Sequence, residues 1–121
     1  YIHSIVSLPR SEFINIVRHC KALVGNSSMG VLEAPFYHLP VVNIGNRQKG
    51  RLNAGNVEFI NYDKVEIISS LKMACLDEKY RSKVKSIVNP FGGKHSAENV
   101  RKAIESINLD DKKWRIKTKL C

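Results

Sequence analysis

Two kinds of hydrophobic pattern alternate along this chain. Short runs rich in Val, Ile and Leu predict strands at residues 2–8, 22–24, 40–44 and 57–60. Elsewhere apolar residues recur every three or four positions, which predicts helices after residue 11, over residues 29–38, and after residues 63, 77 and 96. Such strands alternating with helices are typical of a parallel sheet covered on both faces. We therefore predict an α/β fold with a doubly wound parallel sheet.

Four helices are predicted to begin at polar residues whose side chains accept hydrogen bonds from backbone amides. These predicted N-caps are Ser11, Asp63, Asp77 and Ser96. Pro35 lies late in the helix predicted over residues 29–38. Because proline lacks an amide hydrogen and its ring clashes with the preceding turn, we expect Pro35 to bend or end that helix.

The composition limits the size and the partners of the molecule. Its 121 residues suffice for one domain. Lys and Arg number 20 against 11 Asp and Glu, and a formal net charge of +9 is compatible with nucleic acid, anionic lipid or phosphorylated small molecules. Much of this charge lies in residues 47–51, in residues 79–85 and in a tail around Trp114. No RNA- or DNA-binding signature accompanies it, so we expect a solvated tail and keep nucleic acid as a minor alternative.

The sequence gives little support for a membrane span, a disulfide framework or a metal site. No apolar run approaches the roughly 20 residues that span a bilayer, so no membrane partner is expected. The cysteines Cys20, Cys75 and Cys121 are too few and too far apart for a disulfide framework or a zinc site. We expect reduced thiols and a cytoplasmic location.

The candidate chemistry lies in the segment that follows the second predicted strand. Ligands of parallel sheets bind beyond the carboxyl ends of the strands. Gly25 permits a sharp turn there, and Asn26, Ser27 and Ser28 place short polar side chains before a helix, where amides and hydroxyls favour phosphate. The segment is not a P-loop, because the Lys-Ser/Thr pair is missing, and it has no Gly-x-Gly-x-x-Gly motif. A plain helix cap by Asn26 and Ser27 remains an equal alternative.

Two charged residues add to this segment. Glu33 lies one turn into the predicted helix, where a carboxylate can accept two hydrogen bonds from a ribose diol. The alternative is an acid that merely favours the positive end of a helix. Arg47 lies in a glycine-flanked cationic loop after the next strand and can pair with phosphate in a forked geometry. An ordinary exposed arginine is the alternative for this residue.

Several spaced motifs resemble, in the same order, those of the UDP-N-acetylglucosamine 2-epimerases. They are GNSSMGVLE at residues 25–33, PVVNIGNRQKGR at 40–51, NV at 56–57 and NPFGGKHS at 89–96. Within that family they are most similar to the hydrolysing type that feeds the synthesis of sialic-acid-like sugars. The resemblance covers residues 7–107 and leaves the tail after residue 108 unexplained.

The resemblance implies a glycosyltransferase-B-like enzyme with two Rossmann-like halves and a UDP-sugar bound between them. It places this chain in the C-terminal half, as an incomplete doubly wound sheet without its first two strands. Residues 1–108 would then be a nucleotide-binding segment, and residues 109–121 a basic tail. Because an incomplete sheet exposes unpaired edges, we expect the chain to self-associate.

The resemblance also implies an activity and a set of binding residues. Family members remove the C2 proton of the sugar and eliminate UDP to give a glycal, and the hydrolysing type then adds water. By motif position, Ser27 and Ser28 would hold the diphosphate of UDP or of a UDP-N-acetylhexosamine. Glu33 would bind the ribose hydroxyls, Arg47 would lie at the nucleotide, and the backbone near Leu8 would meet the uracil. No metal or redox cofactor is implied.

The family's catalytic carboxylates and histidine belong to regions upstream of this chain. We therefore assign no catalytic residue here and expect the chain alone to be inactive, since proton transfer at C2 requires positioned acid and base groups. Two other functions stay open. One is the donor-binding half of a glycosyltransferase, which shares the serine-containing loop and the ribose-binding glutamate. The other is a basic adaptor that binds nucleic acid through the tail.

Overall fold

The computed structural model describes residues 1–93, 95–108 and 110–111. Within it the chain forms two compact units, Tyr1–Phe91 and Gly92–Cys121. The lysine-rich stretch that begins at residue 112, including Trp114, lies outside the described residues. The predicted role of that tail in binding nucleic acid therefore stays a prediction.

The first unit holds a parallel three-stranded sheet and its helices. Its strands are β1 (Leu23–Gly25), β2 (Val41–Ile44) and β3 (Val57–Ile60). Its helices are α1 (Arg10–His19), α2 (Met29–Leu32), the 3₁₀ helix Ala34–Tyr37, α3 (Lys64–Leu76) and α4 (Glu78–Lys85). The strand order is β1-β2-β3, so β2 pairs with both other strands.

Consecutive residues of β2 enter two different cores, because successive side chains of a strand point to opposite faces of the sheet. Val41 packs in a cluster with Val17 of α1 and Ala34 of the 3₁₀ helix. Val42 packs in another cluster with Ala74 of α3, which Tyr80 of α4 also contacts. Helices thus cover both faces of the sheet, which confirms the predicted α/β class and its doubly wound arrangement.

The predicted strand at residues 2–8 is wrong. Residues 1–9 contain no strand, and the side chains of Ile2 and Val6 are fully exposed. A strand is stable only where a neighbour accepts and donates its backbone hydrogen bonds. The apolar pattern of this segment says nothing about whether such a neighbour exists, and none lies beside it among the described residues.

The predicted helix over residues 29–38 is interrupted. It ends after four residues at Leu32 and continues as a 3₁₀ helix with Pro35 in its first turn. The segment closes at His38, whose φ of 48° is left-handed. Pro35 therefore acts as predicted, and the macrodipole of so short a helix is small.

Two of the four predicted N-caps are confirmed. The Asp63 carboxylate accepts hydrogen bonds from the first turn of α3, and Asp77 accepts one from the amide of Tyr80 in α4. Ser11 is not a cap, because α1 begins one residue earlier and a bond from the Phe13 amide to the Pro9 carbonyl closes its first turn. These errors and successes concern single residues at helix ends, and they leave the element order unchanged.

The second unit contains helix α5 (Ser96–Glu105). Its N-cap is His95, so Ser96 is the first helical residue rather than the predicted cap. Val100 and Ile104, which share the predicted apolar face, are more than half exposed. Over the ranges that the structure describes, no helix has the length and apolar content to cross a bilayer.

Candidate functional site

Two polar loops leave neighbouring strands at the same edge of the sheet. The serine loop, residues 26–28, follows β1, and the cationic loop, residues 45–51, follows β2. Because the strands are parallel and Gly25 pairs with Asn43, both loops begin at the carboxyl edge. This is the edge at which α/β sheets bind ligands.

The serine loop keeps hydrogen-bond donors available. Gly25 has a φ of +146°, which side-chain-bearing residues rarely adopt, so glycine is needed at this turn. The Ser27 hydroxyl oxygen lies 3.3 Å from the amide nitrogen of Met29, and the Ser28 carbonyl accepts from the amide of Leu32 at 2.9 Å. Within the described part of the chain, the amides of Ser27 and Ser28 donate to no acceptor. Those two amides and hydroxyls can therefore serve an anionic ligand.

A buried glutamine joins the two loops. The Nε2 of Gln48, in the cationic loop, donates to the carbonyl oxygen of Asn26 at 2.9 Å. Gln48 is only 1% exposed, and its Oε1 has no hydrogen-bond partner among the described residues. The sequence predicts no role for Gln48, although the residue stands in the motif at residues 40–51. Its contact spans 22 positions, and residue spacing cannot show such a contact.

A buried asparagine fixes the backbone beneath the serine loop. Nδ2 of Asn56 donates to the carbonyls of Gly30 at 3.2 Å and Leu39 at 3.1 Å. Asn56 is fully buried, so these bonds form away from water. Gly30 lies so close to β2 that an added Cβ would stand 2.8 Å from a methyl group of Val41. Asn56 and Gly30 thus determine how closely α2 packs against the sheet.

Glu33 is paired with Arg10, the first residue of α1. Its Oε2 accepts a bond from the guanidinium, and the two side chains are 36% and 69% exposed respectively. A carboxylate has about four acceptor sites, so this pair leaves capacity for further donors. The pair also brings the chain just after Leu8 to Glu33, although the two residues stand 25 positions apart.

Arg47 and Leu8 occupy different surroundings. Arg47 is exposed, and no carboxylate of the described residues pairs with it. It adjoins Gln48 and so lies next to the junction of the two loops. Leu8 is half-buried and lines a groove beside α1 rather than the cleft at the serine loop. Phe13 lines both, so the two depressions are neighbours.

The cleft at the serine loop is small. Its volume is about 150 Å³, and Gly25, Ser27 and Met29 are among the residues that line it. Pockets that enclose a drug-sized ligand measure roughly 300–1,000 Å³. This cleft can therefore take one portion of a nucleotide and not the whole molecule, and apolar side chains such as Phe13 and Leu23 form most of its lining.

Titratable groups add little to this edge of the sheet. Burial raises the pKa of Tyr80 above 10.0, and the nearby Glu58 carboxylate adds to the rise. The Tyr80 hydroxyl lies 3.5 Å from the backbone carbonyl of Asn56, on the other face of the sheet from the cleft. Among the side chains that the structure describes, no three His, Cys, Asp or Glu residues gather as metal ligands would.

Comparison with known proteins gives several relatives that share this region. A polysialic acid biosynthesis protein, P7, of Escherichia coli is 30% identical and covers 89% of this chain, which spans 28% of that protein. A UDP-N-acetylglucosamine 2-epimerase of Neisseria meningitidis is 28% identical over 86% of the chain and 26% of its own length. A GDP/UDP-N,N'-diacetylbacillosamine 2-epimerase (hydrolyzing) of Campylobacter jejuni is 43% identical over 42% of the chain and 13% of its own length.

The chain therefore spans about a quarter of the length of the Escherichia coli and Neisseria meningitidis relatives. The family model for UDP-N-acetylglucosamine 2-epimerase matches residues 1–105, which include both loops, the sheet and helices α1 to α5. With this match over most of its length, the chain belongs to the UDP-N-acetylglucosamine 2-epimerase family.

Proposed function

We propose that this chain is the nucleotide-binding part of a UDP-N-acetylglucosamine 2-epimerase. One observation carries the proposal: two donor-rich loops leave adjacent strands at the carboxyl edge and are joined by the Gln48–Asn26 bond. In this proposal the amides and hydroxyls of the first loop and the Arg47 guanidinium of the second bind one anion. The membership of the family supports a uridine nucleotide as that anion.

Ser27 and Ser28 are the proposed diphosphate ligands. Their amides lack acceptors within the described residues, and Ser27 is exposed. Arg47, which is exposed and has no carboxylate partner there, is proposed to add a positive charge to this site. Because the helix that follows has only four residues, the attraction for phosphate comes from these individual donors rather than from a macrodipole.

Glu33 and Leu8 are proposed for the nucleoside. The second oxygen of the Glu33 carboxylate can accept from the ribose diol while the first stays with Arg10. The half-buried groove at Leu8 offers an apolar wall and a nearby backbone for the uracil ring. The Arg10–Glu33 pair keeps the two parts of this nucleoside site together.

In the proposed reaction a base removes the C2 proton, the C1–O bond breaks, and UDP leaves with the bonding electrons. The residues of this chain would act on the leaving group, because negative charge develops on its β-phosphate as that bond breaks. Fixed donors aimed at a developing charge are the largest contribution to many enzymatic rates. In the hydrolysing outcome, water then adds its hydroxyl at C1 and a proton returns to C2. Two relatives carry the word hydrolyzing in their names, which favours that outcome here.

The proton-transferring groups are proposed to lie elsewhere in the full-length protein. His3, His19 and Glu12 do not stand in motif positions that carry such groups, and all three are exposed. The chain alone is therefore proposed to bind without turnover. Its edge strands β1 and β3 support the expectation that it self-associates.

The test uses the full-length protein that contains this chain, incubated with UDP-N-acetylglucosamine and no acceptor. We expect free UDP and an epimerised hexosamine, and the double variant Ser27→Ala/Ser28→Ala should lower both at least tenfold, the loss expected from removing transition-state donors. Ser82→Ala, on the exposed side of α4, is the matched control. Product that forms only when a sugar acceptor is added would instead identify a glycosyltransferase.

A further inference from the structure

Gln48, like Asn56, is buried although its side-chain oxygen has no hydrogen-bond partner among the described residues. Gln48 itself is 1% exposed, and its unpaired atom is Oε1. Leaving a buried acceptor unpaired costs the fold free energy, whereas an apolar side chain of the same size would not. Residues that cost stability in this way are typical of functional sites. The position of Gln48 between the two binding loops agrees with that reasoning.

The orientation of the Gln48 amide follows from its neighbour. A backbone carbonyl can only accept, so the atom that faces the Asn26 oxygen at 2.9 Å must be the donor Nε2. The unpaired Oε1 is then a consequence of this contact rather than an arbitrary assignment. The Gln48 side chain makes one hydrogen bond among the described residues, through Nε2. This bond sets the position of the serine loop relative to the cationic loop.

We propose that Gln48 is a positioning residue for the diphosphate, which holds the amides of Ser27 and Ser28 in register with the guanidinium of Arg47. This inference rests on the proposed function. Its physical basis is that, among the described residues, one side-chain bond joins the two loops, while Ser27 and Arg47 are both exposed. A ligand that contacts both loops would then bind at a cost in ordering them.

The proposal separates diphosphate binding from nucleoside binding. Glu33 and the groove at Leu8 are positioned by the Arg10 ion pair and by α1, not by Gln48. Loss of the Gln48 amide should therefore weaken the binding of ligands that carry a diphosphate, such as UDP. It should leave the binding of uridine, which carries none, unchanged. A merely structural role would weaken UDP and uridine alike, because both depend on the same fold.

The experiment measures the affinities of UDP and of uridine by calorimetry in the full-length protein. Gln48→Met keeps the length of the side chain and removes both polar atoms. The substitution frees the Asn26 carbonyl but also removes the buried, unpaired Oε1, so the thermal midpoint should stay close to that of the parent. UDP should bind about five- to tenfold more weakly, the effect of one positioning hydrogen bond, while uridine binds as before.

Three controls make the result decisive. Asn99→Ala removes an exposed amide from α5, outside both loops, and should change neither affinity. Gln48→Asn keeps an amide on a shorter side chain that no longer reaches Asn26, so it should reproduce the selective loss even if the methionine variant misfolds. The third control combines either Gln48 variant with Arg47→Met. Because the two residues act together, Arg47→Met should cause a smaller loss of UDP affinity in a Gln48 variant than it causes in the parent protein.

The outcomes distinguish this inference from the function on which it rests. Unchanged UDP affinity in Gln48→Met, with a parent that binds UDP, overturns the inference alone. An equal loss of uridine and UDP affinity overturns it as well, since it shows a general disturbance of the fold. A parent protein that binds neither UDP nor UDP-N-acetylglucosamine overturns the proposed function instead.

Discussion

Replacing Glu33 by glutamine tests the nucleoside half of the site. The substitution keeps the shape of the side chain and removes its charge, so the ribose hydroxyls would lose a charge-assisted acceptor. The side chain is 36% exposed, and solvent screening places the loss near the lower end of the range for such bonds. We expect UDP binding to weaken by about 1–2 kcal/mol, which is about a 5- to 30-fold higher Kd.

The same substitution breaks the ion pair with Arg10, and that effect must be separated from the first. Arg10 is 69% exposed, and exposed pairs contribute at most about 1 kcal/mol to stability, so the thermal midpoint should hardly change. Arg10→Gln breaks the pair from its other side while leaving the Glu33 charge in place. If Glu33 binds the ribose directly, Arg10→Gln should weaken UDP less than Glu33→Gln does.

Calorimetric titration of the full-length variants with UDP, uridine and inorganic diphosphate provides the measurement. UDP and uridine should lose affinity together, because both carry the ribose diol, and diphosphate should not. Glu12→Gln removes another exposed carboxylate near the start of α1 and serves as the charge-matched control. An unchanged affinity for UDP in Glu33→Gln would remove this residue from the site.

Three further predictions concern the framework. Asn56→Ala frees two buried carbonyls and should lower the free energy of unfolding by about 1–3 kcal/mol in urea titrations, whereas the exposed Asn61→Ala should change it little. Gly30→Ala brings a methyl group to 2.8 Å from a valine of β2 and should cost about 1–3 kcal/mol, whereas Gly93→Ala, with no atom within 4 Å of the added group, should be tolerated. Because the folded-state pKa of Tyr80 is raised, its contribution to stability is complete below pH 10.0 and is lost as the pH rises through the folded-state value. Tyr80→Phe should remove that part of the alkaline loss in melts across this range, and an identical alkaline profile in the variant would contradict the assignment.

The parts of the fold that the sequence predicts well are those that local chemistry determines. Strand β3 occupies the predicted residues 57–60, and helices α3 and α4 begin after Asp63 and Asp77, because a side chain and two or three following amides suffice to set a cap. The strand expected at residues 2–8 fails for the opposite reason. Its existence depends on a neighbouring strand, which the pattern of one segment cannot supply.

The same distinction applies to the candidate site. The position of Ser27 and Ser28 beyond a strand follows from the apolar run before them, and the structure has both at the carboxyl edge. The bond from Gln48 to Asn26 and the pair of Arg10 with Glu33 join residues that are 22 and 23 positions apart. Such contacts arise only when the sheet brings two crossover connections together, so residue types alone do not reveal them.

Strand β2 lies between β1 and β3 and contributes to both cores through Val41 and Val42. Any movement of this central strand would carry the starts of both binding loops with it. Protease resistance and amide exchange throughout the sheet should therefore respond to a ligand that occupies only the rim. The sheet and its rim would then open and close as one cooperative unit, and the effect of the nucleotide would reach α3 and α4 on the far face without direct contact.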